Sequence, residues 1–374
     1  MKRLQCAQIL KDLEQKMVIL VGPRQVGKTW LAREIATHFT SPVYLNYDNR
    51  SDREIMMGEQ WLPSTDLLIL DEVHKMDNWQ VYLKGIYDTR APTMRILVTG
   101  SARMDLLTSS GESLAGRYFR QRLLPLGVAE LYHDGVDNSL ERLIQRGGFP
   151  EPFATEEETD AQRWRSQYLD GIIRYDILDF QRIIDFKALQ LTADLLRERV
   201  GSPVSASSLA RDIGSSPATV LKYIALLEAL FLVFRVTPFS HNIARSLLKE
   251  PKIYFYDTGL VKGGKGARLE NLVAVSLLKD LWGRTDCLGE TWHLHYLRTK
   301  EGREVDFAVV NGERRVVRLV ECKSSDTRPD KNLIYFSGKY SMPAIQLISG
   351  LRTDHKSGNV EMLDTQRYLS GLFL

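Results

Sequence analysis

The segment from Gly22 to Thr29 constrains this chain more than any other. It is GPRQVGKT, which fits GxxxxGK[ST], and it lies between an apolar run (17–22) and a helical run (28–39). In such a loop, glycines let backbone N–H groups turn towards phosphate oxygens, and the helix start adds a positive dipole end. The segment therefore predicts a nucleoside triphosphate site. The residues predicted to line it are Gly22, Pro23, Arg24, Gln25, Val26, Gly27, Lys28, Thr29 and Trp30.

Two consecutive carboxylates, Asp71 and Glu72, end a second apolar run, LLILDE (67–72). We expect Lys28 to reach the β and γ phosphates and the Thr29 hydroxyl to bind Mg²⁺. Asp71 would hold the metal shell from the carboxyl end of its strand, where ligands bind in open α/β sheets. Glu72 would polarise the attacking water. The predicted cofactors are ATP and Mg²⁺, and the predicted activity is ATP hydrolysis.

Short β-rich runs alternate with helical patterns in the first third of the chain. This alternation predicts a parallel sheet with helices on both faces, an α/β fold. The pattern becomes helical near residue 128 and changes again near residues 187 and 252. The four predicted strands span 17–22, 42–48, 67–72 and 95–101.

Charge is unevenly distributed along a chain whose net charge is only +3. Residues 1–186 hold 23 Lys and Arg against 27 Asp and Glu, whereas residues 187–374 hold 27 against 20, a net +7. The second half therefore suits an anionic partner, although an ordinary solvated surface also fits. We expect no membrane association, because no apolar run approaches the roughly 20 residues of a span. The three cysteines lie far apart, which suits the cytoplasm.

The order of motifs resembles prokaryotic AAA+-type ATPases that carry a long C-terminal region of uncharacterised role. The resemblance implies that Ser101, at the end of the fourth strand, reads the γ-phosphate. It also makes Arg117 a candidate arginine finger or sensor arginine, and a homo-oligomer is then expected. A surface salt bridge is the alternative for Arg117. The motifs that carry the resemblance are GPRQVGKT (22–29), LLILDEVHK (67–75), LVTGSARM (97–104), LAGR (114–117), GGFPE (147–151) and KIYFYDTGL (252–260).

Residues 205–236 have the rhythm of a helix-turn-helix followed by a strand, which predicts a winged helix. Gly214 lies in the turn, and Pro217 opens the second helix. Two uses remain open: contact with a DNA backbone or groove, and packing against protein. The second helix offers one Lys and no Arg, which favours weak, sequence-independent DNA contact. The candidate contact residues are Ser215, Ser216, Thr219 and Lys222.

Residues 302–325 predict two strands joined at Asn311-Gly312. Asp306 on the first strand, with Glu321 and Lys323 on the second, resembles the PD-(D/E)XK, restriction-endonuclease-like fold. Glu270, in a preceding helical run, matches the acidic residue that this fold often carries on its first helix. By this resemblance Glu270, Asp306 and Glu321 are candidate Mg²⁺ ligands, and Lys323 would orient water and stabilise the transition state. An inactive binding module of the same fold is the alternative.

The predicted architecture has four parts: an AAA+ P-loop core (1–127), a helical lid (128–186), a winged helix (187–251) and a nuclease-like α/β domain (252–374). The leading hypothesis is an ATP-hydrolysing protein that acts on DNA and cuts it with Mg²⁺. The alternative is a nucleotide-switched regulator that binds DNA or a protein partner through an inactive nuclease-like domain.

Overall fold

The computed structural model describes residues 2–100, 114–173, 185–240 and 249–374. The chain divides into two compact units, residues 1–124 and 125–374. Among the helices in these ranges, none has both the length and the apolarity that a membrane span requires.

The first unit is built around a parallel sheet. Its described strands are β1 (Met17–Val21), β2 (Pro42–Asn46), β3 (Leu67–Asp71), β4 (Arg95–Thr99) and β5 (Tyr118–Arg122). Its described helices are α1 (Cys6–Leu13), α2 (Lys28–Ala36), α3 (Arg50–Met57) and α4 (Trp79–Thr89).

The strand order is β2-β3-β4-β1-β5, and every pair is parallel. All residues of β1 and β3 are buried, as expected of strands covered on both faces. The predicted α/β fold with a parallel sheet is therefore confirmed. The parallel direction brings the carboxyl ends of β1, β3 and β4 to one edge. The fifth strand was not predicted, because YFRQR lacks an apolar run.

The second unit contains a larger, mixed sheet. Its described helices are α5 (Val128–His133), α6 (Ser139–Arg146), α7 (Pro150–Ala154), α8 (Glu158–Gly171), α9 (Phe186–Glu198), α10 (Ala206–Ile213), α11 (Pro217–Ala229), α12 (Lys265–Leu288), α13 (Lys331–Tyr340) and α14 (Thr365–Ser370). Its described strands are β6 (Val233–Pro238), β7 (Lys252–Phe255), β8 (Trp292–Arg298), β9 (Glu304–Asn311), β10 (Val316–Lys323), β11 (Ala344–Ile348), β12 (His355–Ser357) and β13 (Val360–Asp364).

The strands of this sheet follow the order β12-β13-β11-β10-β9-β8-β6-β7. Strands β8, β9 and β10 are antiparallel neighbours, and β11 lies parallel to β10. The hairpin expected at Asn311-Gly312 is present: the Asn311 side chain accepts a hydrogen bond from the Arg315 N–H at 2.9 Å. Helix α12 contacts β7, β8 and β10. The sheet therefore places side chains from β7, β9 and β10 near α12.

The motifs GGFPE and KIYFYDTGL are locked together by a buried carboxylate. Asp257 is 1% exposed and accepts a 2.6 Å hydrogen bond from the Gly148 N–H. Burial raises the pKa of Asp257 to about 6. A Cβ on Gly147, whose φ is +82°, would lie 2.1 Å from an Asp257 oxygen, so only glycine fits there. These two motifs therefore form one structural unit.

Candidate functional site

The loop between β1 and α2 has the backbone shape that its glycines allow. A Cβ on Gly22 would lie 2.1 Å from the carbonyl oxygen of Leu123. Gly27 has a φ of 98° and caps the start of α2. A side chain at Gly22 would displace backbone, and one at Gly27 would be strained by the positive φ, so the loop requires both glycines. Helix α2 therefore begins directly at the end of the loop, the arrangement in which a helix N-terminus can bind an anion.

Lys28 is held over this loop. Its side chain is almost fully buried, and Nζ donates to the carbonyl oxygens of Gly22 at 3.0 Å and Pro23 at 2.7 Å. These contacts keep a positive charge at the helix start, where a phosphate would gain from the charge and the helix dipole together.

Asp71, the last residue of β3, forms the centre of the polar contacts at the sheet edge. Its Oδ2 accepts from the Thr29 hydroxyl at 3.1 Å and from the Tyr44 hydroxyl at 2.5 Å. Its Oδ1 accepts from the Thr99 hydroxyl at the end of β4. Burial, and then Asp71, raise the pKa of Tyr44 to about 12, so the phenol remains a donor at neutral pH. Side chains from α2, β2 and β4 thus hold one carboxylate.

Thr29 and Asp71 have the separation that a shared Mg²⁺ requires. Two adjacent oxygens of an octahedral Mg²⁺ shell, each about 2.1 Å from the ion, lie about 3 Å apart. The Thr29 Oγ1 and Asp71 Oδ2 atoms are 3.1 Å apart. The residues present therefore fit a nucleotide-bound Mg²⁺.

Glu72 follows Asp71 in a left-handed conformation, with φ of 57°. Its N–H donates to the Thr99 carbonyl at 3.1 Å, which fixes the turn. Its Oε2 lies 3.5 Å from the Lys75 ammonium and 3.7 Å from the His74 ring nitrogen. This buried oxygen accepts no hydrogen bond within the described ranges. The Glu72 carboxylate therefore follows Asp71 at the sheet edge, with Lys75 and His74 as its nearest charged or protonatable neighbours.

Arg117 does not join these groups within one chain. Its carbonyl accepts from Met17, at the amino end of β1, whereas the nucleotide loop follows the carboxyl end. A five-residue strand separates the two ends by about 16 Å. The guanidinium forms two hydrogen bonds with Asp88, at 2.8 and 3.0 Å. A sensor role within the same subunit therefore does not fit.

Ser101, the predicted γ-phosphate sensor, lies outside the described residues.

Sequence reasoning missed three residues that shape the nucleotide site: Arg3, Tyr44 and Thr99. Arg3 is buried and donates to the carbonyl oxygens of Leu124 at 3.0 Å and Val26 at 2.5 Å, so it fixes the nucleotide loop. Thr99 had a usable signal, because it is a polar residue that ends an apolar strand beside β3. Arg3 and Tyr44 had none, because only the fold brings them there.

The residues predicted for a nuclease centre lie close together in the second unit. The Asp306 N–H donates to Glu321 Oε2 at 3.2 Å, and the Cys322 N–H donates to Asp306 Oδ2 at 3.0 Å. Lys323 bonds Glu321 at 2.8 Å and lies 3.1 Å from Asp330. Burial, and next the Asp306 charge, raise the pKa of Glu321 to about 8.

Lys252, which sequence reasoning did not single out, reaches the same carboxylates. Its Nζ lies 2.8 Å from Glu304, 3.3 Å from Glu270 and 3.3 Å from Asp306. Burial acts to lower the pKa of Lys252, but these carboxylates raise it above the ordinary lysine value. Burial, and then Asp306, raise the pKa of Glu270 to about 7.

The predicted metal ligands Glu270, Asp306 and Glu321 do not fit a Mg²⁺ ion in this arrangement. Within the described parts of the chain, no three Asp, Glu, His or Cys side chains are placed to hold a metal ion. Two of the three predicted ligands instead contact the Lys252 ammonium, and Glu321 accepts from backbone and from Lys323.

Comparison with protein families divides the chain into three matched regions. Residues 14–132 match an AAA domain. Residues 137–267 and 265–367 match two domains of unknown function, DUF8612 and DUF4143. The AAA match contains the nucleotide-site residues from Gly22 to Thr99, and Arg3 lies outside it. The match and the geometry together support an AAA-type, P-loop ATPase in this region.

Individual relatives are themselves uncharacterised. The chain is 27% identical to the uncharacterized protein Rv2008c of Mycobacterium tuberculosis, over 78% of this chain and 67% of the relative. It is 23% identical to the uncharacterized protein MJ1544 of Methanocaldococcus jannaschii, over 83% and 76%. A Walker-type ATPase of Pyrococcus abyssi is similar over 69% of this chain and 93% of its own, at 14% identity and a TM-score of 0.44. A likeness at that score does not assign a fold.

Replacing Lys28 tests the nucleotide site. Lys28→Ala removes the charge above the loop, so we expect ATP hydrolysis to fall at least about 100-fold. Lys11→Ala, an exposed lysine on α1, is the matched control and should retain wild-type turnover. The measurement is steady-state phosphate release with Mg²⁺. Equal turnover of the two variants would contradict the assignment.

Proposed function

We propose that this protein is a cytoplasmic AAA-type ATPase that acts on nucleic acid, with the nucleotide state of its first unit controlling how the second unit engages DNA. The observation that carries the proposed ATPase activity is the contact between Thr29 and Asp71. Thr29 lies on α2, the helix that begins at the P-loop, and Asp71 ends β3. The wide spacing of Cys6, Cys287 and Cys322 in the sequence suits a reducing cytosol.

The ATPase roles follow from the contacts at the sheet edge. When nucleotide binds, the Lys28 ammonium leaves the carbonyl oxygens of Gly22 and Pro23 and binds phosphate oxygens instead. Thr29 and Asp71 hold Mg²⁺, which neutralises charge on the phosphate oxygens when bound. Glu72, which follows Asp71 in the turn after β3, orients the attacking water with its carboxylate. Tyr44 and Thr99 keep Asp71 in place.

A helix pair in the second unit supports the nucleic-acid part. Helix α10 ends at Gly214, whose φ of 65° turns the chain, and Ser216 caps α11 by accepting from the Thr219 N–H at 3.1 Å. Lys222 is exposed on α11. This geometry supports the proposed winged helix, and the net charge of +7 over residues 187–374 suits a phosphate backbone.

The nuclease-like fold is likewise part of the proposal. Its support is that Asp306 and Glu321, on neighbouring strands β9 and β10, lie close together with Lys323, and that Glu270 on α12 is close to Asp306. We assign this domain to binding, because its carboxylates already have cationic partners. A regulator that uses the same surface for a protein partner is the alternative, and DNA binding separates the two.

Neutralising Lys222 tests the DNA contact. Lys222→Ala should weaken binding to duplexes of any sequence and lower the slope of log affinity against log salt by about 1, because one phosphate contact is lost. Lys84→Ala, an exposed lysine on α4, is the control and should bind like the wild type. Fluorescence anisotropy of the full chain measures both. If the wild type fails to bind DNA even at low salt, the protein-partner alternative replaces the proposal.

We further propose that the protein assembles as a homo-oligomer in which Arg117 serves a neighbouring subunit. The support is its position: in its own chain it lies at the wrong end of β1, near the surface and paired with Asp88. An arginine there reaches a phosphate only across a subunit contact, after leaving Asp88.

Mixing two inactive variants tests this role. Arg117→Ala keeps an intact nucleotide site but lacks the arginine, whereas Lys28→Ala keeps the arginine but lacks the site. Each alone should be inactive, and the mixture should recover part of the ATP hydrolysis, because Lys28→Ala subunits supply Arg117 to intact sites. No recovery, or full activity of Arg117→Ala alone, would contradict the role in trans.

A further inference from the structure

A lysine ammonium lies among three carboxylates inside the second unit. Lys252 opens β7 and is 1% exposed. Its Nζ contacts Glu304 at 2.8 Å, and Glu270 and Asp306 at 3.3 Å each. These carboxylates come from α12 and β9, which both follow β7 in sequence. Through these three contacts, one buried ammonium on β7 joins carboxylates of α12 and β9.

The surroundings of Lys252 keep the ammonium in that position. The Tyr254 hydroxyl donates to Glu270 Oε1 at 2.6 Å, and so orients the same oxygen that contacts Lys252. The Tyr296 ring centroid lies 5.6 Å from Nζ, within the range of a cation–π contact. Pairing of β7 with β6 fixes the backbone of Lys252 opposite Val236. The position is therefore set by packing, strand pairing and charge together.

Other oxygens of the cluster also have partners. Asp306 Oδ2 accepts from the Cys322 N–H, and Glu321 Oε2 accepts from the Asp306 N–H. Glu304 lies 3.4 Å from Arg298 as well as 2.8 Å from Lys252. A Mg²⁺ ion requires several free oxygens, each about 2.1 Å from the metal. Here three carboxylate oxygens surround the Lys252 ammonium instead, at 2.8 to 3.3 Å from Nζ. A second cation beside it would also be repelled.

We propose that the Lys252 ammonium is the resident cation of this cluster and occupies the place that a divalent metal ion would take. The ammonium consequently holds the carboxylates of the second unit in position without a metal ion, and Mg²⁺ does not bind at Glu270 and Asp306. This inference goes beyond the proposed function and does not depend on it, since it holds whether or not the unit binds DNA.

Manganese titration of the full-length chain without nucleotide tests the proposal, with bound Mn²⁺ counted from the loss of the free-ion electron paramagnetic resonance signal. Wild type and Asp306→Asn should bind the same amount. Lys252→Met should gain one Mn²⁺ per chain, because it frees three carboxylates. Adding Asp306→Ala to Lys252→Met should abolish that gain. Urea unfolding identifies any variant that is not folded.

Lys279→Met is the matched control. Lys279 is another buried lysine of the same unit, but its carboxylate partner is Glu130 rather than a cluster of three. Removing it should therefore create no metal site. Two outcomes would overturn the proposal: a Mn²⁺ in the wild type that Asp306→Asn lacks, or a folded Lys252→Met that binds no more than the wild type. If Lys252→Met does not fold, the comparison of Mn²⁺ binding by the wild type and by Asp306→Asn is sufficient to decide.

Discussion

The nucleotide site depends on the single carboxylate of Asp71. It accepts hydrogen bonds from Thr29, Tyr44 and Thr99, which come from three different elements of the first unit. Because the strands of the sheet are parallel, their carboxyl ends meet where Asp71 lies. The predicted site residues Asp71, Lys28 and Glu72 are therefore placed by one sheet edge.

Buried carboxylates have different kinds of partner in the two units. In the first, Asp71 is held by neutral hydroxyls, and its negative charge remains available to a cation. In the second, Lys252 and Lys323 contact the carboxylates directly, so the charge is already balanced. The same residue type thus suits metal binding in one place and internal ion pairing in the other. The partner groups, rather than the acidic residues themselves, decide between the two.

The sequence predicted the elements whose signals are local. Strands β1, β3 and β4 were predicted because they are continuous apolar runs, and the P-loop because its glycines and lysine are adjacent. Strand β5 was missed because YFRQR lacks an apolar run; its buried Gln121 donates a 2.7 Å hydrogen bond to Asp12, which is far away in sequence. Lys252 was missed for the same reason: its partners at 270, 304 and 306 approach it only in the folded sheet. Composition and spacing carry no record of such contacts.

The central claim is that ATP hydrolysis in the first unit is coupled to DNA at the second. The most direct measurement is the rate of ATP hydrolysis by the full-length protein with Mg²⁺, as duplex DNA is added at low salt. The account predicts a basal rate that rises several-fold and saturates with DNA, since the proposed coupling requires DNA binding to shift the equilibrium that controls hydrolysis. A rate that stays constant at every DNA concentration would contradict it.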